Sequence, residues 1–218
     1  MLSALVAVVF NAIHPRAPSD SLNDMGELLR IVATSRSWRL VHLASVVATL
    51  AGVAAIVAVL WSMVLQGSNR FPAIAFVLLV LTTPTLLLSV GVDGFAIKSI
   101  ADRWADASAN RETLMSAATA LRSIDVAVLD IVMIGQFGLT AILLGVASWE
   151  SPLYGPRIGA IAIAGGSLGV LCGVMQALSG RLTVLSYLVL LTVSLALFTV
   201  WLTAASVVLW RKAEGLFR

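Results

Sequence analysis

The chain has 218 residues, of which 60% are hydrophobic and only 11% are charged, and its net charge is +3. A soluble domain is about 45–50% apolar and about 25% charged. A mean hydropathy of +1.01 therefore excludes a soluble globular domain, a disordered tail and a disulfide-rich secreted domain. The composition is typical of an integral membrane protein built almost entirely of spanning helices.

The basic residues and the cysteine bear on two further properties, nucleic-acid binding and disulfide chemistry. The fourteen Lys and Arg lie mostly singly near the ends of apolar segments, as membrane insertion favours, so we expect no nucleic-acid partner. The single cysteine, Cys172, lies inside an apolar run, which excludes an intramolecular disulfide and a C-x-x-C site. We interpret Cys172 as a packing residue.

The first apolar segment covers residues 1–13. It reaches only about 20 Å at about 1.5 Å per residue, and it lacks the basic start and small-residue cleavage site of a signal peptide. We expect a short sixth helix, or a span whose start codon was placed late. It should end at His14-Pro15, because a proline disfavours the helical conformation in the residue before it.

The next segment, residues 19–34, is predicted to be an amphipathic helix. Its apolar residues recur at helical spacing: Leu22, Met25, Leu28, Leu29 and Val32. Ser21 and Asp24 are spaced as a capping box. We expect this helix to lie on the membrane surface or over the mouth of the bundle.

Five long apolar runs follow, and they predict spans at 40–65, 71–97, 124–147, 156–179 and 182–210. A spanning helix needs about 20 apolar residues. Continuous apolar runs without alternation exclude a β-barrel. We therefore predict an all-α, polytopic transmembrane helix bundle that forms one domain over residues 1–218, with five full spans and the short first helix.

The predicted spans assign each connection to one side of the membrane. We call the side that receives segments 14–39 and 98–123 the long-loop side, and the opposite side the short-loop side. Nine Lys and Arg lie on the long-loop side and five on the other, which favours a cytoplasmic long-loop side. An even number of spans with both termini inside requires the opposite orientation, so the orientation stays open.

Tryptophans and small residues add two predictions. Trp38, Trp61, Trp149 and Trp210 lie at span ends, as expected for an interfacial aromatic belt.

Gly165, Gly169 and Gly173 recur at every fourth position of span 156–179, a pattern that lets helix backbones approach closely. We expect this span to be central and to contact at least three others.

Polar residues within the spans are the candidate site, because ionisable groups are costly in a membrane. All of them fall toward the long-loop side and predict a polar chamber there: His14, His42, Asp93, Lys98, Asp125, Asp130 and Gln176. Several also have a structural interpretation. Asp125 is one turn from Arg122, Lys98 is spaced to pair with Asp102, and His14 is placed to end its helix.

Three chemistries can be compared with these residues. Retinal is excluded, because span 182–210 contains no lysine. Haem between His14 and His42 stays open as an alternative. A hard-metal or proton site formed by His42, Asp93 and Asp130 is chemically reasonable. No nucleophile motif or phosphate loop is present, and the sequence requires no cofactor.

Several short motifs carry a resemblance: Ala12-Ile13-His14-Pro15, Trp38-Arg39-Leu40-Val41-His42-Leu43, Val92-Asp93-Gly94-Phe95-Ala96-Ile97-Lys98 and Pro152-Leu153-Tyr154-Gly155-Pro156-Arg157. Together they resemble uncharacterised six-span integral membrane proteins of bacteria, domains of unknown function frequent in actinobacteria. The resemblance implies six helices and a location in the bacterial cell (inner) membrane. It implies no activity, and it carries over no functional residue.

The sequence favours a non-enzymatic function. We expect a small-ligand- or lipid-binding membrane protein, or an accessory subunit of a larger membrane complex, with membrane lipids and other subunits as partners. One alternative is a membrane redox or metal-dependent enzyme with its site at His42, Asp93 and Asp130. Another is an ion-coupled transporter.

Overall fold

A computed structural model describes residues 24–66, 70–106, 110–180 and 183–216. Within these ranges the chain is helical apart from its short connections and contains no strand. Five of the helices are long and apolar enough to cross a membrane. The predicted all-α bundle with five full spans is therefore confirmed, and the protein is an integral membrane protein. The predicted helix at 1–13, His14 and Ser21 lie outside the described residues.

The helices are α1 (Met25–Thr34), α2 (Trp38–Leu65), α3 (Phe71–Trp104), α4 (Arg111–Glu150), α5 (Gly155–Ser179) and α6 (Leu191–Leu216). Helix α4 begins well before the predicted residue 124. Its first turn is capped by Asn110, whose Oδ1 accepts a hydrogen bond from the backbone N–H of Thr113 at 3.2 Å. The polar segment before residue 124 therefore belongs to the same helix as the apolar span.

Three π-helical turns interrupt the regular α-helix. They are Val92–Ile97 in α3, Gly135–Thr140 in α4 and Val184–Leu190 at the start of the last span. A π turn contains one more residue than an α turn, which widens the helix locally, and such turns are frequent at functional sites. The first of them carries Asp93.

Helix α1 packs on the bundle at the long-loop side. Asp24 caps its N-terminus by accepting a hydrogen bond from the Glu27 backbone N–H at 3.1 Å. Leu29 and Val32 are buried in one apolar cluster with Trp38 of α2 and with residues of α3 and α4. On the outer face, the Arg30 guanidinium holds the pKa of Glu27 below its usual value. Helix α1 therefore covers the long-loop ends of α3 and α4.

Helix α4 is the central helix of the bundle. It packs against α3 on one side and α5 on the other, and it also contacts α1, α2 and α6. Within the described part of the chain, helix α5 packs extensively only against α4 and the last span, which comprises the π turn Val184–Leu190 and α6. The prediction that α5 is central is therefore wrong. Its small residues serve those two contacts, since Gly165 faces α6 whereas Gly169 and Gly173 face α4.

The tryptophans divide into two groups. Trp61, Trp149 and Trp210 are exposed at helix ends, as the aromatic belt predicts. Trp38 is only 2% exposed, so its interpretation as a belt residue is wrong. Its indole N–H instead donates a hydrogen bond to the backbone carbonyl of Asp93 at 2.9 Å, which joins α2 to α3.

Candidate functional site

Five polar side chains meet between α2, α3 and α4 in the long-loop half of the bundle. They are His42 from α2, Ser89 and Asp93 from α3, and Arg122 and Asp125 from α4. We call this set the three-helix cluster. It lies beside the apolar cluster that holds α1 on the bundle, because Trp38 and Val92 belong to that apolar cluster.

His42 is the buried member that α2 contributes, and it is held from both ends of its ring. Nδ1 lies 2.8 Å from the backbone carbonyl oxygen of Trp38. Nε2 lies 3.1 Å from Asp93 Oδ2 across the α2–α3 interface. The predicted juxtaposition of His42 and Asp93 is therefore present.

The hydrogen-bonding partners of His42 determine where a proton is needed. A carbonyl oxygen can only accept, so Nδ1 must carry the hydrogen that it donates to Trp38. In a neutral ring, Nε2 then presents a lone pair toward the Asp93 carboxyl group. The 3.1 Å contact is attractive only if a proton lies between Nε2 and Oδ2. The geometry thus defines a site for one proton shared by His42 and Asp93.

Asp93 is positioned by the π turn of α3. Its Oδ2 faces His42, and its Oδ1 lies 3.7 Å from Arg122 Nη1 of α4. Its backbone carbonyl accepts the Trp38 indole N–H. Asp93 is therefore bound to α2 through both its side chain and its backbone. Its carboxylate also interacts electrostatically with Arg122 of α4.

Asp125 closes the cluster on the α4 side. Its Oδ2 accepts a hydrogen bond from Arg122 Nη1 at 2.7 Å, and its Oδ1 accepts one from the Ser89 hydroxyl at 2.7 Å. Asp125 is buried, whereas the side chains of Asp93 and Arg122 are 22% and 18% exposed. The cluster is therefore reached from outside through Asp93 and Arg122, with His42 and Asp125 behind them.

The charges of the cluster balance when it holds one proton. Arg122 is always cationic. Two ionised carboxylates, Asp93 and Asp125, give the three groups a net charge of −1. The shared proton at His42 and Asp93 brings this net charge to zero.

Lys98 serves another part of the molecule. Its Nζ donates hydrogen bonds to the carbonyls of Val32 and Ala33, at 3.0 and 3.1 Å, and to Asp102 Oδ1 at 2.6 Å. Asp102 also accepts a hydrogen bond from Arg39 at 3.2 Å. The expected pair of Lys98 and Asp102 is confirmed. Lys98 binds the C-terminal end of α1 and does not join the three-helix cluster.

Asp130 and Gln176 are not in the cluster, so the predicted trio of His42, Asp93 and Asp130 does not form. Five residues separate Asp125 from Asp130, which turns the helix by about 140°. Asp130 therefore belongs to the face of α4 that packs on α5, and its backbone carbonyl lies against Gly173. The partners that meet His42 and Asp93 are instead Arg122 and Asp125, with Ser89 behind them.

Metal and haem ligation can be compared with this geometry. Among the described residues, no group of three or more His, Cys, Asp or Glu side chains is placed to hold a metal ion. For haem, both ring nitrogens of His42 already face hydrogen-bond partners, and His14 lies outside the described residues. The cluster is thus suited to binding a proton rather than to ligating a transition metal.

Sequence reasoning missed Ser89 as a member of the site and assigned Arg122 only a structural role. A serine within an apolar run gives no distinct signal, because such hydroxyls commonly bond to their own helix backbone.

No protein family, curated protein or solved structure matches this chain.

Proposed function

We propose that this chain is a non-enzymatic, proton-binding protein of the bacterial cell membrane, and that it belongs to the class of ion-coupled transporters. The observation that carries the proposal is the contact between His42 Nε2 and Asp93 Oδ2 at 3.1 Å. That contact lies across two spanning helices and requires a proton. Proton binding at this position therefore controls the contact between α2 and α3.

Charge provides the coupling. When the shared proton leaves, the cluster has a net charge of −1 inside the membrane. An uncompensated charge costs about 2.5–3.5 kcal/mol on insertion scales. Loss of the proton therefore favours separation of His42 from Asp93, or entry of a replacement cation. Either event changes how α2 packs on α3, as coupled transport requires.

Access to the proton site is unequal on the two sides of the membrane. Asp93 and Arg122 are the partly exposed members of the cluster, and both lie in the long-loop half of their helices. Toward the short-loop side, α2, α3, α4 and α6 are closed by apolar packing that includes Leu60, Leu79, Leu144 and Trp201. From this difference we propose that in this conformation the proton exchanges with the long-loop side. The π turn at Val92–Ile97 is the segment whose rearrangement is best placed to move Asp93.

The membrane setting completes the proposal. The spans present large apolar side chains to their surroundings, among them Leu40, Val47, Leu81 and Leu178, which supports lipids as partners. We place α1 at the membrane surface on the long-loop side, with Leu28, Leu29 and Val32 against the bundle. The bacterial cell membrane is the location implied by the resemblance to six-span bacterial proteins.

The test measures charge movement caused by the proton itself. Purified protein in liposomes on a solid-supported membrane is exposed to a rapid change from pH 8 to pH 5. We expect a transient current, because proton binding at the cluster moves charge within the membrane. Asp93→Asn and His42→Gln should reduce this transient to the level of protein-free liposomes.

Glu112→Gln is the matched control, since Glu112 is an exposed acid at the start of α4 and far along the helix from the cluster. It should keep the wild-type transient. Equal transients in wild type and Asp93→Asn would contradict the proposal, and so would a transient lost equally in Glu112→Gln.

A further inference from the structure

The interface between α4 and α5 contains a second polar site, separate from the three-helix cluster. The two helices run antiparallel, and glycines bring their backbones together: a Cβ at Gly169 would lie 2.6 Å from the Phe137 carbonyl oxygen, and one at Gly173 would lie 2.9 Å from the Asp130 carbonyl oxygen. Gln176 follows Gly173 by three residues and therefore lies on the same face of α5. The row of small residues thus ends in a glutamine.

The side-chain amide of Gln176 is buried and unsatisfied within the described part of the chain. Its side chain is 0% exposed. Among the residues that the structure describes, neither its Oε1 nor its Nε2 has a hydrogen-bond partner. A buried primary amide that forms no hydrogen bond has lost its hydrogen bonds to water without gaining any from the protein, which is energetically unfavourable. Such a group indicates that a bound species completes the site.

Asp130 presents a second polar atom to the same interface. Its Oδ1 is buried and has no hydrogen-bond partner. Within the described part of the chain, no Lys, Arg or His forms an ion pair with this carboxylate. An unpaired carboxylate on α4 and an unpaired amide on α5 therefore belong to the same interface, with Gln176 one turn beyond the glycine that contacts the Asp130 backbone.

The directions of the two helices favour an approach of the two side chains. In an α-helix each side chain leans toward the N-terminus of its own helix. Because α4 and α5 are antiparallel and Gly173 contacts Asp130, the Asp130 side chain leans toward the level of Gln176, and the Gln176 side chain leans back toward it. Beside them, the Cys172 thiol donates a hydrogen bond to the Ser186 carbonyl oxygen at 3.0 Å, so this thiol is already occupied.

We propose that Asp130 Oδ1 and Gln176 Oε1 bind a small monovalent cation, such as Na⁺, between α4 and α5 near the long-loop end of α5. Both atoms are oxygen ligands, which hard cations prefer, and the charge of the cation neutralises the unpaired carboxylate. The close contacts at Gly169 and Gly173 leave no space for a lipid headgroup between the helices, so the occupant is a small ion. This site is independent of proton binding at His42 and Asp93.

The test is direct binding of ²²Na⁺ to the purified protein in nanodiscs, with choline chloride keeping the ionic strength constant. We expect saturable binding to the wild type. Affinity should fall at least tenfold in Asp130→Asn and in Gln176→Leu. Reaction of Cys172, the single cysteine, with N-ethylmaleimide should also slow when Na⁺ replaces choline, because the bound ion holds the two helices together.

Gln136→Leu is the matched control. Gln136 is another buried glutamine with an unpaired Oε1, but it lies on α4 beyond Asp130, in the π turn. This variant should bind Na⁺ like the wild type. The proposal is overturned if the wild type shows no saturable binding, if Gln176→Leu binds normally, or if Gln136→Leu loses binding equally. Gln176→Leu decides the question if Asp130→Asn does not fold.

Discussion

Gly94 in the π turn of α3 packs directly against the His42 side chain of α2, because a Cβ at position 94 would overlap Cβ and Cγ of His42. The neighbouring residue, Asp93, hydrogen-bonds to the far end of the same imidazole. The absence of a side chain at position 94 therefore sets the distance at which the His42–Asp93 contact forms. Close backbone approach and proton binding depend on the same pair of helix turns.

Gly94→Ala should separate α2 from α3. The added methyl group cannot be accommodated without moving His42, and overpacking of this kind costs about 1–3 kcal/mol. We expect a lower free energy of unfolding in mixed detergent micelles and a reduced pH-jump transient. Gly91→Ala is the control, because a Cβ there meets nothing within 4 Å. Equal stability of the two variants would mean that the contact is not constrained by Gly94.

Arg122→Gln should destabilise the protein more than its partial exposure suggests. It leaves Asp93 and Asp125 without their common cation, and removal of one partner from a buried pair costs about 3–5 kcal/mol. The double variant Arg122→Gln/Asp125→Asn removes one charge of each sign, so it should regain much of the lost stability. Unfolding measurements on the single and double variants give this coupling directly. Additive losses would contradict the charge balance derived for the cluster.

Trp38→Phe should weaken the attachment of α2 to α3. The substitution keeps an aromatic ring but removes the N–H that donates to the Asp93 carbonyl. Loss of a hydrogen bond of this kind costs about 0.5–1.5 kcal/mol. Trp61→Phe, at an exposed position of the same helix, should leave the free energy of unfolding nearly unchanged. A larger loss of unfolding free energy in Trp61→Phe than in Trp38→Phe would contradict this role of Trp38. It would favour interfacial anchoring as the main function of the α2 tryptophans.

Lys98→Met should release α1 from the bundle while the spans remain folded. The Lys98 ammonium donates to the Val32 and Ala33 carbonyls, which are among the last acceptors of α1 and have few partners within the helix. Hydrogen–deuterium exchange should accelerate across Met25–Thr34 and stay slow in α2. Arg103→Met, at an exposed position of the same helix, should leave exchange in α1 unchanged. Protection of α1 in Lys98→Met equal to that of the wild type would refute this role.

The spans were predictable because charge-free apolar runs mark them in the sequence. The pairing of His42 with Asp93 was also predictable, since alternating helix directions bring both to the same depth. However, the depth of a residue in the membrane does not indicate on which face of its helix the residue lies. Depth alone predicts that Asp130 belongs to the site, whereas the angle between it and Asp125 directs it to α5. The burial of Trp38 depends on the covering helix α1, and no property of the Trp38 segment itself indicates that.

The early part of α4 shows a further limit. Residues 111–123 are mostly polar and look like a connection, yet they continue the helix, and Arg122 enters the cluster from this stretch. A helix that extends beyond the apolar zone cannot be recognised from hydropathy alone. The cap formed by Asn110 is the local signal that could have placed the start of α4.

The π turn at Val92–Ile97 has a consequence for how α3 can vary. Its extra residue rotates the outer part of the helix relative to the inner part by about 100°. Before the turn, Ser89 faces Asp125, and after it, Lys98 faces the end of α1. Deleting one residue here would remove none of the interacting side chains. However, Ser89 could then no longer reach Asp125 while Lys98 reaches the end of α1. The length of this turn, as well as its composition, is therefore a property that the α3 sequence has to keep.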